Sequence, residues 1–372
     1  MEFTPQRLEK VHRSMRVEEI DAIIVTRKPD IQYLTGYQPP QHNLPVACVV
    51  VDGHQPHLIV SETQRKASSL DLVMTKVVTF PDGGSPEWFL AHSPQMWKMA
   101  IKEICDMGVE DGMIGFQQDW VSVMEFNLLK KTLPEAGFCD FSKNLWRLRQ
   151  IKDPSEIETI KAATRIAEIG LRTALEIVVP GKTEEDASVE IEAAMRGSGG
   201  QLKGIRAAVL SGRHGRFPFV RPSAERIGDD DLVLIDITVS HSGYFAEISR
   251  TLHTGTPDPD EKALFNSVLD VSLNLEELMA PHVRISKLAT RCIEGIFNTE
   301  KEGRVLGSSI GLDLREPPQI APSSTYSLRE GMIFSAHPTF YSEPAGTAKI
   351  ADMLLITADG CSRLTSMTRE TL

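Results

Sequence analysis

The first 150 residues alternate apolar runs of strand length with segments of helical spacing. Residues 6–18 form an amphipathic helical pattern, whereas residues 22–26 and 46–51 are short, largely apolar runs typical of buried strands. The second of these runs ends at Asp52-Gly53, which is a turn signal. Alternating helices and strands predict an α/β domain over residues 1–150.

A new pattern begins after this domain. Asp153 is followed directly by Pro154 and, three residues after Asp153, by Glu156, an arrangement typical of a capping box with proline at the first helical position. Apolar and small residues then recur at helical spacing for more than four turns, until Pro180-Gly181 ends the helix. A weaker pattern of the same kind follows Pro281 and hints at two duplicated halves. We therefore predict a second domain over residues 151–372.

A hairpin in the second domain carries two acids. Residues 232–235 form a buried strand, and the turn cluster at 240–243 folds a second strand back on it, which places Asp236 near Glu247. Paired carboxylates at the end of a buried run are costly unless a cation, a proton or a substrate compensates them. A lone acid in a hairpin is, however, more often a solvated edge residue, and this alternative applies to Glu247.

Composition narrows the classes of function. With 372 residues, 41% hydrophobic and 24% charged, the chain has the composition of an ordinary globular protein with room for two cores. The net charge of −11 argues against nucleic acid and anionic membranes as partners. The charged N-terminus predicts no secretion signal, and no apolar run is long enough for a membrane span. Five dispersed cysteines without a CxxC pair indicate a reducing cytoplasm.

Several short motifs follow one another in an order known from one family. The chain resembles creatinase, prolidase and aminopeptidase P, and the resemblance covers nearly its whole length. It rests on residues 30–37, 151–157, 231–236, 243–244, 250–251, 307–312, 330–334 and 350–353. The resemblance implies an α+β fold, in which a creatinase-type N-terminal α/β domain precedes a "pita-bread" domain of two pseudo-symmetric halves. It also implies a homodimer in which each N-terminal domain helps to close the partner's site.

The metal-ligand positions of this family are largely changed. Its peptidases hold two metal ions with two aspartates, one histidine and two glutamates. The resemblance places these five ligands at Asp236, Glu247, Ser308, His337 and Ala351, so one ligand is unchanged. A dinuclear site needs bridging carboxylates and about four or more protein ligands, so we predict neither a dimetal centre nor any other cofactor. A single metal ion held by Asp236, Glu247 and His337 remains an alternative.

We therefore predict a metal-independent, creatinase-like hydrolase that cleaves a C–N bond in a small polar substrate, which we expect to bear a carboxylate. His337 is the candidate general base, with Asp236 or Glu247 holding its second ring nitrogen, and Glu247 is the candidate acid that protonates the leaving nitrogen. The candidate substrate-binding residues are Arg250, Arg315, Glu316, Tyr244, Phe219, His214, His42 and Ser308. Arginines in this set would suit a carboxylate, which they bind in a bidentate manner.

Two other functions remain open. Members of the family with altered sites also serve as binding modules, in which case His337 is a core histidine and the two acids are hydrogen-bonded remnants. An Xaa-Pro dipeptidase or aminopeptidase with a non-standard mononuclear metal site is the further alternative. In the hydrolase and peptidase cases we expect a small-molecule substrate, and throughout we expect a homodimer with no nucleic acid or membrane partner.

Overall fold

The structure is a computed structural model that describes residues 5–38, 44–67, 72, 74–82, 93–216, 220–294, 305–343 and 345–372. The chain divides into two compact units, Met1–Arg149 and Gln150–Leu372. The boundary predicted from the sequence lies one residue from this division. In the described part of the chain, no helix is both long and apolar enough to cross a bilayer.

The N-terminal unit is an α/β domain built on one mixed sheet. Its elements are α1 (Pro5–Val17), β1 (Ala22–Val25), α2 (Lys28–Thr35), β2 (Ala47–Val51), β3 (His57–Ser61), α3 (Glu62–Ala67), β4 (Lys76–Phe80), α4 (Pro94–Asp106), β5 (Met113–Phe116), α5 (Val123–Thr132), β6 (Gly137–Asp140) and α6 (Ser142–Gln150). The strand order is β4-β3-β2-β1-β5-β6, and the β1–β2 and β2–β3 pairs are antiparallel. Helix α4 buries Trp97 and Met96 against the sheet.

The first half of the C-terminal unit places two helices against an antiparallel sheet. Its elements are α7 (Pro154–Ile177), α8 (Glu184–Gly197), β7 (Gln201–Ser211), β8 (Leu232–His241) and β9 (Tyr244–His253), with a 3₁₀ turn at His214–Arg216. The capping box predicted at the start of α7 is present, since Asp153 accepts from the Glu156 amide and Glu156 accepts from the Asp153 amide. The predicted hairpin is confirmed as β8 and β9, joined at Ser242-Gly243.

The second half repeats the order of helices followed by strands. Its elements are α9 (Pro259–Leu278), α10 (Ile285–Ile293), β10 (Gly307–Ser309), β11 (Glu316–Ile320), β12 (Ile333–Ala336), β13 (Thr339–Ser342), β14 (Gly346–Lys349), β15 (Asp352–Ile356) and β16 (Cys361–Arg363). The larger sheet has the order β11-β10-β12-β15-β16, while β13 and β14 form a ribbon. An antiparallel bridge between Ser249 and Ala351 joins β9 to the start of β15. The two halves of the unit therefore meet beside the acidic hairpin.

Candidate active site

Strand register places both acids on one face of the β8–β9 hairpin. Asp236 lies opposite Ser249, and Thr238 lies opposite Glu247. Side chains alternate between the two faces of a sheet, so these four residues share a face. Glu247 is fully buried and Asp236 is 7% exposed. The alternative that Glu247 is a solvated edge residue is therefore wrong.

A lysine lies between the two carboxylates. The Nζ atom of Lys349 is 2.7 Å from Oδ1 of Asp236 and 2.9 Å from Oε1 of Glu247. Lys349 ends β14, and its amide donates to Thr251 Oγ1 while its carbonyl accepts from the same hydroxyl. The buried ammonium thus supplies the compensating cation that the paired acids need.

Other donors complete the coordination of the carboxylates. Oε1 and Oε2 of Glu247 accept from the two terminal nitrogens of Arg315, at 2.9 and 2.6 Å, and Oε2 also accepts from the hydroxyl of Ser335. On Asp236, Oδ1 accepts from the Ser249 hydroxyl and Oδ2 accepts from Arg206 at 3.2 Å. Each of the four carboxylate oxygens therefore accepts at least one hydrogen bond.

These contacts set the charges. Burial alone would raise the pKa of Asp236 and of Glu247, but the nearby Lys349 ammonium more than offsets the effect of burial. The pKa of each acid is therefore lowered, and that of Glu247 lies well below its ordinary value. Burial would lower the pKa of Lys349, yet the two carboxylates raise it above its ordinary value. Near neutral pH the acids are therefore ionised and the lysine is charged.

His337 and Ser308 bring unpaired polar atoms to the same sheet face. Ser308 lies opposite Ser335 in the β10–β12 register. The amide of His337 continues this pairing past the end of β12 by donating to the Leu306 carbonyl at 2.8 Å, so all three side chains point to one side. The Oγ of Ser308 and the Nε2 of His337 are buried and have no hydrogen-bond partner among the described residues. Burial lowers the pKa of the imidazole to about 4.

The expected support for His337 is not formed. We expected Asp236 or Glu247 to hold a ring nitrogen and raise the basicity of the imidazole, but the acids are bonded to Lys349, Arg315 and hydroxyl groups instead. Desolvation outweighs the attraction of Glu247 and leaves the imidazole neutral at pH 7. That part of the prediction is wrong, whereas a catalytic role for His337 stays a prediction.

Comparison with known proteins identifies the family. Residues 158–358, more than half of the chain, match the model of metallopeptidase family M24. The chain belongs to this family. Residues 7–151 match the creatinase/prolidase N-terminal domain. An Xaa-Pro dipeptidase from Pyrococcus horikoshii is 26% identical over 374 residues, covering 100% of this chain and 99% of that protein. An Xaa-Pro dipeptidase from Pyrococcus furiosus is 25% identical and covers 99% of each chain.

Solved structures of the family have the same fold. The prolidase from Pyrococcus horikoshii OT3 matches with a TM-score of 0.84 at 24% identity, over 99% of this chain and 100% of that one. An Xaa-Pro dipeptidase from Bacillus anthracis matches with a TM-score of 0.86 at 23% identity, over 99% of each chain. The predicted α+β architecture, a creatinase-type N-terminal domain followed by a pita-bread domain, is thereby confirmed.

The predicted function is corrected by these comparisons. The family resemblance itself was right, but the prediction of a metal-independent, creatinase-like hydrolase is wrong, because the full-length relatives are named Xaa-Pro dipeptidases. The comparisons favour the further alternative, a dipeptidase. They confirm the broader expectation that the chain belongs to a family of hydrolases.

A metal ion of the kind that the family name implies does not fit the residues present. The two carboxylates that would hold it, Asp236 and Glu247, already bind the Lys349 ammonium, which would repel a divalent cation. A hydroxyl and a methyl group, from Ser308 and Ala351, stand at two further positions that the resemblance assigns to ligands. Within the ranges that the structure describes, no group of three or more His, Cys, Asp or Glu side chains could hold a metal ion. The mononuclear site proposed at Asp236, Glu247 and His337 is therefore not formed.

Three predicted substrate-binding residues are used to stabilise the fold instead. Arg250 is fully buried and donates to Asp352 and to carbonyl groups near the C-terminus, because it lies one residue away from Ser249 and faces the other side of the sheet. The hydroxyl of Tyr244 donates to Glu156 at the start of α7. Glu316 accepts from the buried ammonium of Lys152 at 3.2 Å. These assignments to the substrate site are not supported by the structure.

Of the remaining candidates, Arg315 contacts Glu247, whereas His214 contacts a different acid, Glu184. Nδ1 of His214 lies 2.7 Å from Glu184, and the same carboxylate accepts from Ser211 and Ser223. This buried acid therefore fixes the loop that carries His214, whose role toward a substrate stays a prediction. Phe219 and His42 lie outside the described residues.

Three residues that contact the acids, Lys349, Arg206 and Ser335, were not predicted from the sequence. One feature of the sequence could have indicated Lys349: it directly precedes the largely apolar segment Ile350-Ala-Asp-Met353. A charged residue beside a segment that is expected to be buried needs a partner of opposite charge. Its partners could not be read from the sequence, because they lie 102 and 113 residues away.

Proposed function

We propose that this chain acts on Xaa-Pro dipeptides or closely related small peptides as a hydrolase. The similarity to Xaa-Pro dipeptidases over essentially the whole length of both chains carries this proposal. The acidic pair, at positions that the resemblance assigns to ligands, supports placing the substrate in the C-terminal unit. The substrate is then a zwitterion with a free carboxylate.

The charge of the site supports binding of that carboxylate. Lys349, Arg315 and Arg206 bring three positive charges to the two acids, and His337 is neutral near pH 7. The Arg315 and Arg206 side chains are 41% and 46% exposed, so each guanidinium can reach a ligand as well as its acid. Guanidinium groups bind carboxylates with charge-assisted hydrogen bonds, which are stronger than neutral ones.

The unpaired atoms suggest how the rest of a substrate is held. The Nε2 of His337 and the Oγ of Ser308 are buried polar atoms that a peptide group or a water molecule would satisfy. We assign His337 to positioning a water molecule or the substrate, and Asp236 and Glu247 to orienting the cations around it.

The assay is release of proline from a panel of Xaa-Pro dipeptides, compared with dipeptides that have no proline, using the purified protein with and without added metal. We expect turnover of at least one Xaa-Pro dipeptide, and Arg315→Gln to raise KM by about ten-fold or more, since a hydrogen bond to a charged group contributes roughly 1.5–3 kcal/mol. Arg329→Gln, at an exposed position, is the matched control. Binding without turnover on any peptide, with or without added metal, would contradict the proposal.

A second candidate is a peptide-binding protein without hydrolytic activity. The observation that favours it is that Lys349, Arg315 and hydroxyl groups satisfy the oxygens of both acids, so neither acid is an evident base. Calorimetric titration of the same dipeptides separates the candidates. Saturable binding that Arg315→Gln weakens, with no product after prolonged incubation, would support binding alone.

We also propose that the protein works in the cytoplasm. All five cysteines are free thiols, which supports a reducing compartment. Cell fractionation with an antibody to the native protein would test this.

A further inference from the structure

The contact of one buried ammonium with two carboxylates has a consequence for metal dependence. Lys349 is 7% exposed, and its Nζ donates to Asp236 and to Glu247 over distances that charge-assisted hydrogen bonds prefer. Its backbone is fixed by the paired hydrogen bonds with Thr251. The cation is therefore part of the chain and is held in place by the sheet.

The surroundings of Lys349 match the ammonium and disfavour a divalent ion. A metal bridging these acids would need the lone pairs that now accept from Lys349 and Arg315. It would also lie close to both positive groups in a buried setting, where repulsion is weakly screened. The Ser249–Ala351 bridge fixes the backbone where the last metal ligand of the family would stand, and Ala351 offers a methyl group there.

We propose that Lys349 is the resident cation of this centre, and that it holds Asp236 and Glu247 together in place of a divalent metal. Removing two charged groups from water is costly, and the cost is recovered only if a cation remains between them. The folded protein carries that cation covalently. Neither folding nor formation of the site then depends on the metal supply. This inference goes beyond the proposed function, and its tests use no substrate.

The first test uses the native chain. Protein treated with chelator is compared with protein given Co²⁺, Mn²⁺ or Zn²⁺, by elemental analysis and by thermal unfolding. We expect well under one bound metal ion per chain and the same melting temperature in every sample. A tightly held stoichiometric metal, or a melting temperature that falls with chelator and recovers with metal, would overturn the inference.

The second test changes the charge. Lys349→Met removes the ammonium and keeps most of the side-chain length, and we expect it to lower the melting temperature by several degrees. Lys161→Met is the matched control, because Lys161 pairs with Glu158 on the surface. Lys349→Arg keeps the charge and should retain more stability than Lys349→Met.

A double variant separates the charge from simple packing. In Lys349→Met combined with Asp236→Asn, one acid no longer needs a cation, so the melting temperature should recover part of the loss. The single Asp236→Asn variant, which leaves Lys349 with one partner fewer, should not exceed the wild type. If Lys349→Met fails to fold, recovery of folding in the double variant carries the test. A double variant that is no more stable than Lys349→Met, or a Lys349→Met as stable as the wild type, would overturn the inference.

Discussion

Burial and the neighbouring charges set the protonation states of His337, Asp236 and Glu247. The imidazole of His337 is driven to the neutral form because removal from water outweighs the attraction of Glu247, while Arg315 and Lys349 add repulsion. The carboxylates remain ionised because Lys349 is hydrogen-bonded to both. Burial therefore makes the imidazole of His337 neutral, whereas the two buried carboxylates stay charged because Lys349 lies beside them.

The neutral imidazole predicts a pH dependence of stability. The pKa of His337 is lowered from 6.5 to about 4 in the folded protein, so the unfolded chain binds the proton first as pH falls. No stability is lost above pH 6.5, and between 6.5 and 4 the free energy of unfolding should fall by up to about 1.4 kcal/mol per pH unit from this residue. Urea denaturation at a series of pH values measures it.

His337→Asn should reduce this slope, and His54→Asn, at an exposed histidine, should not. Asp236 and Glu247 affect the free energy of unfolding at lower pH. Because their pKa values are lowered in the folded protein, the stability that they contribute is lost only as the pH falls far enough to protonate them there. An unchanged slope in His337→Asn would show that the imidazole does not titrate in this way.

Elements position these residues through their ends and their register. The β8–β9 hairpin aligns Asp236 with Ser249 and Thr238 with Glu247. Helix α7 packs on the same sheet, and its N-terminal Glu156 both completes the capping box and accepts from Tyr244 of β9. The start of α7 is therefore fixed twice, by its own cap and by the strand.

The cap of α7 gives a stability prediction. Asp153→Ala removes the side chain that accepts from the Glu156 amide, and loss of an N-cap costs about 1 kcal/mol, with a range of roughly 0.5–2. We expect a fall of that size in the free energy of unfolding, measured by urea denaturation. Glu158→Ala, at a site on the same helix whose side chain is 67% exposed, should change it little. Equal effects of the two substitutions would show that the cap contributes nothing.

At the scale of the whole molecule, the chain consists of two units, each with its own core. The resemblance to the creatinase and prolidase family implies a homodimer, and this remains a prediction. An interface stable at micromolar concentration should bury well above about 1,000 Å² in total. Light scattering across a range of concentrations measures the mass directly. A monomer at high concentration would contradict the dimer, and with it the expectation that the N-terminal domain, which contains His42, helps to close a partner's site.

The sequence by itself determined the features that depend on local spacing. The apolar run before Asp236, the turn at Gly243 and the cap at Asp153 each follow from residues close together in the chain, so the hairpin and α7 could be predicted. The presence of Ser308 and Ala351 at positions that the resemblance assigns to metal ligands was equally visible, since the order of the motifs is enough to show it.

Tertiary structure decided which charges meet. Lys349 reaches Asp236 across 113 residues, and Arg315 reaches Glu247 across 68, through strand pairings that no local pattern encodes. A shift of one residue along a strand reverses the direction of a side chain, which is why Arg250 turns away from the site while Ser249 faces it. The pKa of His337 likewise depends on burial by elements that are distant in sequence, so its value of about 4 follows only from the tertiary structure.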